Sequence, residues 1–177
     1  MTATGPTVRA IPPGDDRERL TCPDCGFVAY ENPKMVAGSV VSVDGRIMLC
    51  RRAIEPRHGY WTLPAGFLEL HETPEEGAMR EAWEEARAKI AIDALLAVYS
   101  VPRISQVQLI YRATLAEPGF EAGPESLEVA LFDWADIPWD ELAFPSVKWA
   151  LDEYRTRLGQ DVFAPGVNPP GMTGDRF

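Results

Sequence analysis

The sequence is short of cysteine, of positive charge and of long apolar runs, and each shortage excludes a class of protein. Its 177 residues include only three cysteines, an odd number that is too small for a disulfide framework. No run of about 18 apolar residues occurs, which excludes a membrane-spanning helix. The N-terminal stretch MTATGPTVRAIPPGDDRERL also lacks the apolar core of a secretory signal. We therefore expect a cytoplasmic protein whose cysteines are reduced thiols or metal ligands.

Positive charge is scarce, because 17 Lys and Arg against 27 Asp and Glu give a net charge of −10 at pH 7. Nucleic-acid backbones are bound by clustered Lys and Arg, so this balance argues against a nucleic-acid partner. Hydrophobic residues make up 46% of the chain and charged residues 25%, as in an ordinary soluble globular domain. An enzyme of this charge acting on a phosphate substrate would need something other than bulk charge to neutralise that substrate.

Changes in composition divide the chain into three parts. Residues 1–34 are rich in Pro, Gly and charge and predict a small loop-rich appendage. Residues 35–160 carry the regular periodic patterns of a folded domain, and residues 161–177 form a tail rich in Gly and Pro.

The domain predicts strands on both sides of a central helix, with a second helix late in the chain. Asp44-Gly45 predicts a type I′ turn that joins the two arms of a β-hairpin over residues 36–50. The further predicted elements are strands at 60–67 (broken at Pro64 and Gly66), 95–101, 107–115 and 127–134, and a helix at 146–158. This order predicts an α+β fold or an α/β/α sandwich.

The central helix has clear start signals. Thr73 is a suitable N-cap, Pro74 suits the first helical position, and Glu76 completes a Thr-x-x-Glu capping box. We expect the helix to end near Arg87, where basic Arg87 and Lys89 complement the helix dipole.

Three glutamates of this helix share one face. Glu81, Glu84 and Glu85 stand at positions i, i+3 and i+4. Like charges this close destabilise a bare helix by a few tenths of a kcal/mol per pair, whereas a carboxylate cluster is the oxygen environment that Mg²⁺ or Mn²⁺ prefers. The spacing alone leaves a solvated acidic face and a metal site as alternatives.

The surrounding residues favour the metal site. Gly66, Glu72 and the run Arg80-Glu81-Ala82-x-Glu84-Glu85 stand at fixed offsets within residues 66–88. This arrangement resembles the Nudix box, G-x5-E-x7-R-E-U-x-E-E-x-G-U, in which U is a bulky aliphatic residue.

The chain departs from the box at two positions. Ala82 is smaller than the usual aliphatic residue, and Arg87 replaces a glycine. We expect Arg87 either to adopt the left-handed conformation, at a cost of about 1–2 kcal/mol, or to extend the helix by part of a turn.

The resemblance implies a Nudix-type α/β/α sandwich with a mixed sheet, and one to three bound divalent cations, Mg²⁺ or Mn²⁺. It implies that Glu84, Glu85 and the backbone carbonyl of Ala65 are metal ligands. It also implies that Glu81 is either a ligand or the residue that orients the attacking water.

The resemblance further implies that Arg80 pairs with Glu72 and fixes the box loop to the helix. The helical spacing also places Glu76 and Glu84 four residues from Arg80 on either side, so that Arg80 can hold the array.

Many Nudix enzymes add a catalytic glutamate from a loop outside the box. The candidates here are Glu121, Glu125 and Glu128. Glu125 best matches the family's position when counted back from the strand at 129–134, with Glu128 next. Plain loop charge is the alternative for each of them.

Arginines near the predicted hairpin end are candidates for binding the substrate phosphates. We expect Arg51, Arg52, Arg57 and Arg103 in this role, with an ordinary surface location as the alternative for any one of them.

Cys22-Pro-Asp-Cys25-Gly26 has the C-x2-C-G pattern of half a zinc site. The surrounding segment resembles the zinc ribbon that precedes some Nudix domains, but the first cysteine pair of that ribbon is missing, since residues 1–5 read MTATG. These residues favour a degenerate ribbon with two free thiols, and a zinc ion bound by Cys22 and Cys25 is the alternative. Cys50 is expected to be a small buried hydrophobic residue.

The segment after the box bears on the substrate. Zinc-ribbon Nudix enzymes that cleave NADH carry an S-Q-P-W-P-F-P-x-S motif there, whereas residues 99–107 read YSVPRISQV. That segment and residues 49–69 resemble the branch that hydrolyses ADP-ribose and FAD, releasing AMP. The alternatives are NADH or another dinucleotide as substrate, and a non-catalytic sensor of ADP-ribose or NAD metabolites. Many Nudix hydrolases are dimers, so the resemblance is compatible with a homodimer, although the sequence indicates no interface residues. Neither nucleic acid nor membrane is expected as a partner.

Overall fold

Two units, residues 1–33 and 34–177, divide the chain, and the computed structural model describes residues 5–174 of it. The first unit contains a three-stranded antiparallel sheet in the order β1-β2-β3. Its strands are β1 (Val8–Ala10), β2 (Arg19–Thr21) and β3 (Val28–Ala29). The sequence predicted only loops here, because strands of two or three residues are too short to show an alternating pattern.

The second unit contains the regular elements expected from the sequence. Within the described residues they are β4 (Lys34–Val43), β5 (Arg46–Arg52), β6 (Trp61–Thr62), β7 (Ala65–Phe67), α1 (Pro74–Ala86), β8 (Ile90–Val101), β9 (Gln106–Leu115), β10 (Ser126–Phe132) and α2 (Pro145–Thr156). Short 3-10 helices lie at Pro102–Ile104, Trp134–Asp136 and Trp139–Glu141.

These strands form one mixed sheet, in the order β10-β5-β4-β9-β8. β4 and β9 pair in parallel, and the other neighbours pair antiparallel. The two small strands lie off this path, with β6 on β5 and β7 on β4. The expected Nudix-type sandwich with a mixed sheet is confirmed.

The two faces of the sheet are each covered by one helix. Val40 packs in a cluster with residues of α2, whereas its neighbour Val41 packs in a cluster with Ala82 and Ala86 of α1. Successive side chains of a strand point to opposite faces, so a strand covered on both sides must be apolar at consecutive positions. This double burial explains the nearly unbroken apolar runs in β4 and β5.

The Asp-Gly turn forms as predicted, but the hairpin around it is short. Asp44 and Gly45 have φ values of 51° and 80°, as a type I′ turn requires. Direct pairing between β4 and β5 is limited to Ser42 with Ile47 and Val43 with Arg46. Beyond these pairs the two strands separate, so that β4 pairs with β7, and β5 pairs with β10 and β6. The opening brings the box segment at residues 65–67 into the sheet.

Several boundaries differ from the sequence prediction. The expected strand at 60–67 is two short strands separated by Pro64, which cannot donate a ladder hydrogen bond. β8 begins at residue 90 rather than 95, and α2 covers 145–156 rather than 146–158. No helix among residues 5–174 has the length and hydropathy needed to cross a membrane.

Residues 161–174 of the tail are irregular, as expected, but they are attached to the sheet. Gly166 exchanges backbone hydrogen bonds with Leu96 and Val98, both of 2.9 Å. The side-chain amide of Asn168 accepts from the N–H of Ser100 and donates to its carbonyl oxygen. These bonds extend the edge of β8.

Candidate active site

The N-terminal start of α1 is fixed by the predicted capping box. The Thr73 hydroxyl accepts from the Glu76 N–H at 3.2 Å, and the Glu76 carboxylate accepts from the Thr73 N–H at 2.7 Å. Glu76 is therefore used at the cap. Of the two helix glutamates that the sequence places four residues from Arg80, the contact with Arg80 is made by Glu84. The reciprocal cap sets the point from which the turns of α1 are counted, and hence which side chains face the box loop.

Arg80 joins the helix to the preceding loop. Its guanidinium donates to both carboxylate oxygens of Glu72, at 3.0 and 2.8 Å, and to the backbone carbonyl of Phe67 at 2.9 Å. Arg80, together with the Glu69 N–H, holds the pKa of Glu72 at about 2. The expected ion pair is therefore present, in a bidentate geometry that fixes the relative position of loop and helix.

The same arginine also reaches two of the three helix glutamates. One of its terminal nitrogens lies 2.7 Å from a Glu81 oxygen and 3.0 Å from a Glu84 oxygen. Glu81 is only 8% exposed, and its burial raises its pKa even though Arg80 opposes that shift. Arg80 therefore spaces and orients carboxylates that would otherwise repel one another.

Gly66 provides the room in which the Glu81 carboxylate lies. A Cβ atom added to Gly66 would lie 2.3–2.4 Å from the carboxylate carbon and oxygens of Glu81. No side chain larger than hydrogen fits there without moving Glu81. The box glycine is thus required by close approach.

Glu85 is the most deeply buried of the three glutamates. It is 5% exposed, and one of its oxygens accepts from the Ala65 N–H at 3.3 Å. Burial and the nearby charge of Glu81 raise its pKa to about 8, and the positive charge of Arg52 only partly offsets this. A carboxylate held in this way favours a neighbouring cation when it is ionised.

A second loop approaches the last turn of α1. The backbone N–H of Gly123 donates to the Glu85 carbonyl at 2.9 Å, and that of Glu121 donates to the Ala86 carbonyl at 2.9 Å. A Cβ atom on Gly123 would lie 1.7 Å from the Glu84 carbonyl oxygen, so only glycine permits this contact. The loop therefore satisfies helix carbonyls that have no partner within the helix.

This loop brings Glu125 towards the helix glutamates. The negative charge of Glu125 contributes to raising the pKa values of both Glu81 and Glu85. The Ala53 N–H donates to the Glu125 carbonyl at 2.8 Å, which fixes the backbone of this residue. Glu128 lies further along and approaches Arg51 at 3.8 Å, so of these two candidates Glu125 is the one whose charge acts on the helix array.

The four candidate arginines have different surroundings. Arg52 is 9% exposed, donates to the Pro56 carbonyl at 2.8 Å and contributes positive charge at Glu85. Arg51 donates to the Gly59 carbonyl at 3.0 Å. Arg57 lies over the Tyr60 ring, and Arg103 lies in the 3-10 helix after β8. The structure thus relates Arg52 electrostatically to the carboxylates.

With this geometry described, the chain can be compared with known proteins. The NUDIX domain model matches residues 33–152, and the Nudix N-terminal model, which describes a zinc ribbon, matches residues 4–31. The first match alone covers more than half of the chain.

The chain belongs to the NUDIX family.

Individual relatives agree with this assignment. A NUDIX hydrolase structure from Nitrosomonas europaea is 44% identical, with a TM-score of 0.84 over 91% of this chain and 93% of that one. An ADP-ribose pyrophosphatase of Methanocaldococcus jannaschii is 31% identical over 73% of this chain and 78% of its own length. A MutT-like protein of Streptomyces ambofaciens is 47% identical, but the match spans only 48% of that protein.

NUDIX hydrolases generally use divalent metals, and the donor types in this site suit one. Glu81, Glu84 and Glu85 offer carboxylate oxygens, and Ala65 lies within hydrogen-bond reach of Glu85. Within the described residues, however, no three carboxylate, imidazole or thiol groups converge closely enough to enclose an ion. Arg80 accounts for this lack of convergence, because its guanidinium donates hydrogen bonds to both Glu81 and Glu84. Glu84 is 52% exposed at its side chain and can rotate away from Arg80.

Two NUDIX box departures have clear structural outcomes. Ala82 lies on the buried, sheet-facing side of α1, so its small size is matched by close helix–sheet packing. Arg87 adopts the left-handed conformation with φ at 48°, the first of the two expected outcomes, and α1 ends at Ala86. No basic side chain lies in the last helical turn, so the predicted complement to the helix dipole begins only at the C-cap.

The cysteines fall into two kinds of environment. Cys50 is 1% exposed, as expected, and burial raises the pKa of its thiol. Cys22 is buried and Cys25 exposed within the turn that follows β2. The backbone N–H groups of Cys25 and Asp24 donate to the Cys22 sulfur and lower the pKa of that thiol.

The sequence did not indicate that Gly123 contacts the end of α1, or that Arg52 is buried with its charge acting on Glu85. Gly123 stands in the glycine-containing stretch PGFEAGPES, where the pattern indicates only a loop. Its function depends on contact with the end of α1, which lies far away in the sequence. Arg52 is buried and its neighbour Arg51 is half-buried, and their consecutive positions in β5 place the two side chains on opposite faces of the sheet.

Proposed function

We propose that this chain hydrolyses the diphosphate bond of a nucleoside diphosphate linked to another moiety, with ADP-ribose or FAD as the substrate and Mg²⁺ or Mn²⁺ as the cofactor. The observation that carries the proposal is the array of Glu81, Glu84 and Glu85, held by Arg80 against the box loop. Water would attack one phosphorus and the bridging P–O bond would break. The products would be AMP with ribose 5-phosphate, or AMP with FMN.

The residues proposed to hold the divalent ion are Glu81, Glu84, Glu85 and the backbone carbonyl of Ala65. When bound, the ion would polarise the diphosphate and lower the pKa of the attacking water. Glu84 would leave Arg80 on binding, since its exposed side chain has the freedom to turn. Glu85 has no comparable freedom, because it is buried and bonded to the Ala65 N–H.

The chain's own groups would handle the proton and the substrate charge. We assign Glu125 as the base that accepts the proton of the attacking water, with Glu81 as the alternative. Support comes from the negative charge of Glu125, which contributes to the raised pKa values of Glu81 and Glu85. Arg80 would be a positioning residue, because its contacts are with protein carboxylates and a backbone carbonyl.

Arginines would offset the charge of the substrate phosphates. Arg52 is the strongest candidate because its charge already acts at Glu85. Arg51 stands next to it at the end of β5, with Arg57 in the following loop. Arg103 is proposed with them on the basis of the sequence alone.

The choice of substrate rests on the relatives. The protein of Methanocaldococcus jannaschii, 31% identical over most of both chains, is named an ADP-ribose pyrophosphatase. A NAD-capped RNA hydrolase of Chromobacterium violaceum is 32% identical, but over only 43% of its length. The broader match favours ADP-ribose, and the narrower one keeps NADH as the alternative substrate.

A substrate panel tests the proposal. The purified chain with Mg²⁺ is incubated with ADP-ribose, FAD, NADH and diadenosine polyphosphates, and the products are separated by chromatography. We expect AMP from ADP-ribose or FAD, and no product in excess chelator. Glu84→Gln is expected to lower kcat by at least about 100-fold, because a charged metal ligand is removed. Glu117→Gln is the matched control, since Glu117 lies in an exposed pair with Lys89.

The panel can also contradict the proposal. AMP from NADH alone would assign the alternative substrate. No AMP from any compound, together with calorimetric binding of ADP-ribose, would assign a non-catalytic sensor. Activity of Glu84→Gln equal to that of Glu117→Gln would remove the helix array from the mechanism.

A further inference from the structure

The ribbon of this chain does not fit the zinc ion that its family model implies. A structural zinc site needs four ligands, whereas residues 1–33 contain only two cysteines and no histidine. Among the described residues, no three cysteine, histidine or acidic side chains come together. Cys22 and Cys25 are thus left without the second pair that would complete a metal site.

The turn that carries these cysteines is nevertheless well formed. The Cys22 N–H donates to the Phe27 carbonyl at 2.8 Å, and the Gly26 N–H donates to the Cys22 carbonyl at 2.9 Å. Gly26 has a φ of 74°, which allows the chain to reverse there. The three-stranded sheet on either side of the turn is held by backbone pairing. The turn therefore keeps its shape through hydrogen bonds.

Within this turn the two sulfur atoms are neighbours with unequal access. Cys22 is 3% exposed, and its sulfur accepts hydrogen bonds from the N–H groups of Asp24 and Cys25 and from the Cys25 thiol. Cys25 is exposed to solvent. Residues i and i+3 of a tight turn are close enough for a disulfide with little backbone movement.

We propose that Cys22 and Cys25 form a redox-active dithiol that is reversibly oxidised to a disulfide within the turn by low-molecular-weight disulfides. The site takes an exposed disulfide such as oxidised glutathione as its reaction partner. This inference is independent of the proposed hydrolase activity, because it concerns only residues of the first unit.

The two steps balance as thiol–disulfide exchange. In the first, the Cys25 thiol loses its proton, its sulfur attacks one sulfur of oxidised glutathione, and one glutathione leaves as a thiolate. In the second, the Cys22 thiolate attacks the Cys25 sulfur and expels the second glutathione. Two cysteine thiols lose two protons and two electrons, and one glutathione disulfide becomes two thiols. The exposed sulfur of Cys25 is the one that can attack a disulfide in solution, and the buried sulfur of Cys22 resolves the mixed disulfide.

Thiol counting on the full chain tests the proposal. The reduced protein is treated with oxidised glutathione, denatured, alkylated with iodoacetamide and analysed by intact mass and peptide mapping. We expect the number of alkylated cysteines to fall from three to one, with Cys50 as the remaining thiol and a disulfide joining Cys22 to Cys25. Cys22→Ser is expected to retain one glutathione on Cys25, since it lacks the resolving thiol. Cys50→Ser is the matched control and should still form the disulfide.

Three results would overturn the proposal. Three free thiols after oxidation would show that the pair is inert. A glutathione adduct on wild-type Cys25 that never resolves would exclude the disulfide. Zinc retained through dialysis and protecting both cysteines would show a metal site instead, and half an equivalent per chain would indicate a site shared between two copies. Wild-type peptide mapping gives each of these answers even if Cys22→Ser fails to fold.

Discussion

Removing the Glu72 carboxylate should weaken the attachment of the box loop to α1 by a measurable and pH-dependent amount. The pKa of Glu72 is held at about 2 against an ordinary value of 4.5, mainly by Arg80. A shift of this size corresponds to about 3 kcal/mol as an upper bound. The pair is 26% and 15% exposed at its side chains, so solvent screening lowers the net value, and Gln keeps part of the hydrogen bonding. We expect Glu72→Gln to reduce the free energy of unfolding at pH 7 by about 1–2 kcal/mol.

The pH dependence distinguishes this ion pair from simple packing. A carboxylate whose pKa is lowered by folding contributes stability above its unfolded pKa and loses it as the pH falls towards the folded pKa. The stability difference between wild type and Glu72→Gln should therefore be full above about pH 5 and shrink towards pH 2. Urea unfolding monitored by tryptophan fluorescence at several pH values measures it, with Glu117→Gln as the exposed control. A constant difference from pH 7 to pH 2, or none at pH 7, would refute the reasoning.

Three other substitutions test separate parts of the site. Gly66→Ala should lower kcat by about 10-fold or more without unfolding the chain, because the Cβ of the new alanine would displace the Glu81 carboxylate. Kinetics measure this loss, and circular dichroism shows whether the chain is still folded. Glu85→Gln should abolish activity and yet raise the unfolding free energy at pH 7 in chelator by about 1 kcal/mol. Folding raises the pKa of Glu85 to about 8, so this carboxyl must take up a proton or bury its charge, and the neutral amide avoids that cost; a destabilised variant would contradict this. Arg87→Gly should raise Tm by a few degrees, because glycine adopts the left-handed conformation without the roughly 1 kcal/mol penalty. An unchanged or lower Tm would indicate that the contact of Arg87 with the Trp83 ring stabilises the chain by at least as much as this penalty.

The parts of the site that could be predicted from sequence are those fixed by local physics. Thr73 and Glu76 predict the start of α1 because capping is decided within four residues. Once the start is known, the helical repeat places Glu81, Glu84 and Glu85 on one face. Arg87 was expected either to adopt the left-handed conformation or to continue the helix by part of a turn, and it adopts the left-handed conformation.

The remaining parts depend on contacts between distant segments. The parallel pairing of β4 with β9 brings Lys34 opposite Gln106 and has no local signature, because either strand could pair with several others. The approach of Gly123 to the end of α1 is of the same kind, since a glycine in a loop indicates flexibility until its neighbour is known. Glu125 could be chosen as the leading candidate only by counting from a strand, and its proximity to the helix emerged from that loop contact.

The negative charges of the site lower the stability of the folded chain, but they also provide the ligands that the proposed chemistry requires. Glu84 and Glu85 lie in the last turn of α1, where the helix dipole already disfavours negative charge. Glu81 adds a third carboxylate. Arg80 neutralises only part of this negative charge, because it also pairs with Glu72. The resulting deficit of positive charge raises the folding cost of ionised Glu85, and a divalent cation would relieve it. Weakening the clamp with Glu72→Gln should destabilise the chain but keep the three helix carboxylates, whereas Glu85→Gln should stabilise the chain and remove one of them. Stability and activity measured on the two variants together therefore separate the scaffold of the site from its cation-binding part.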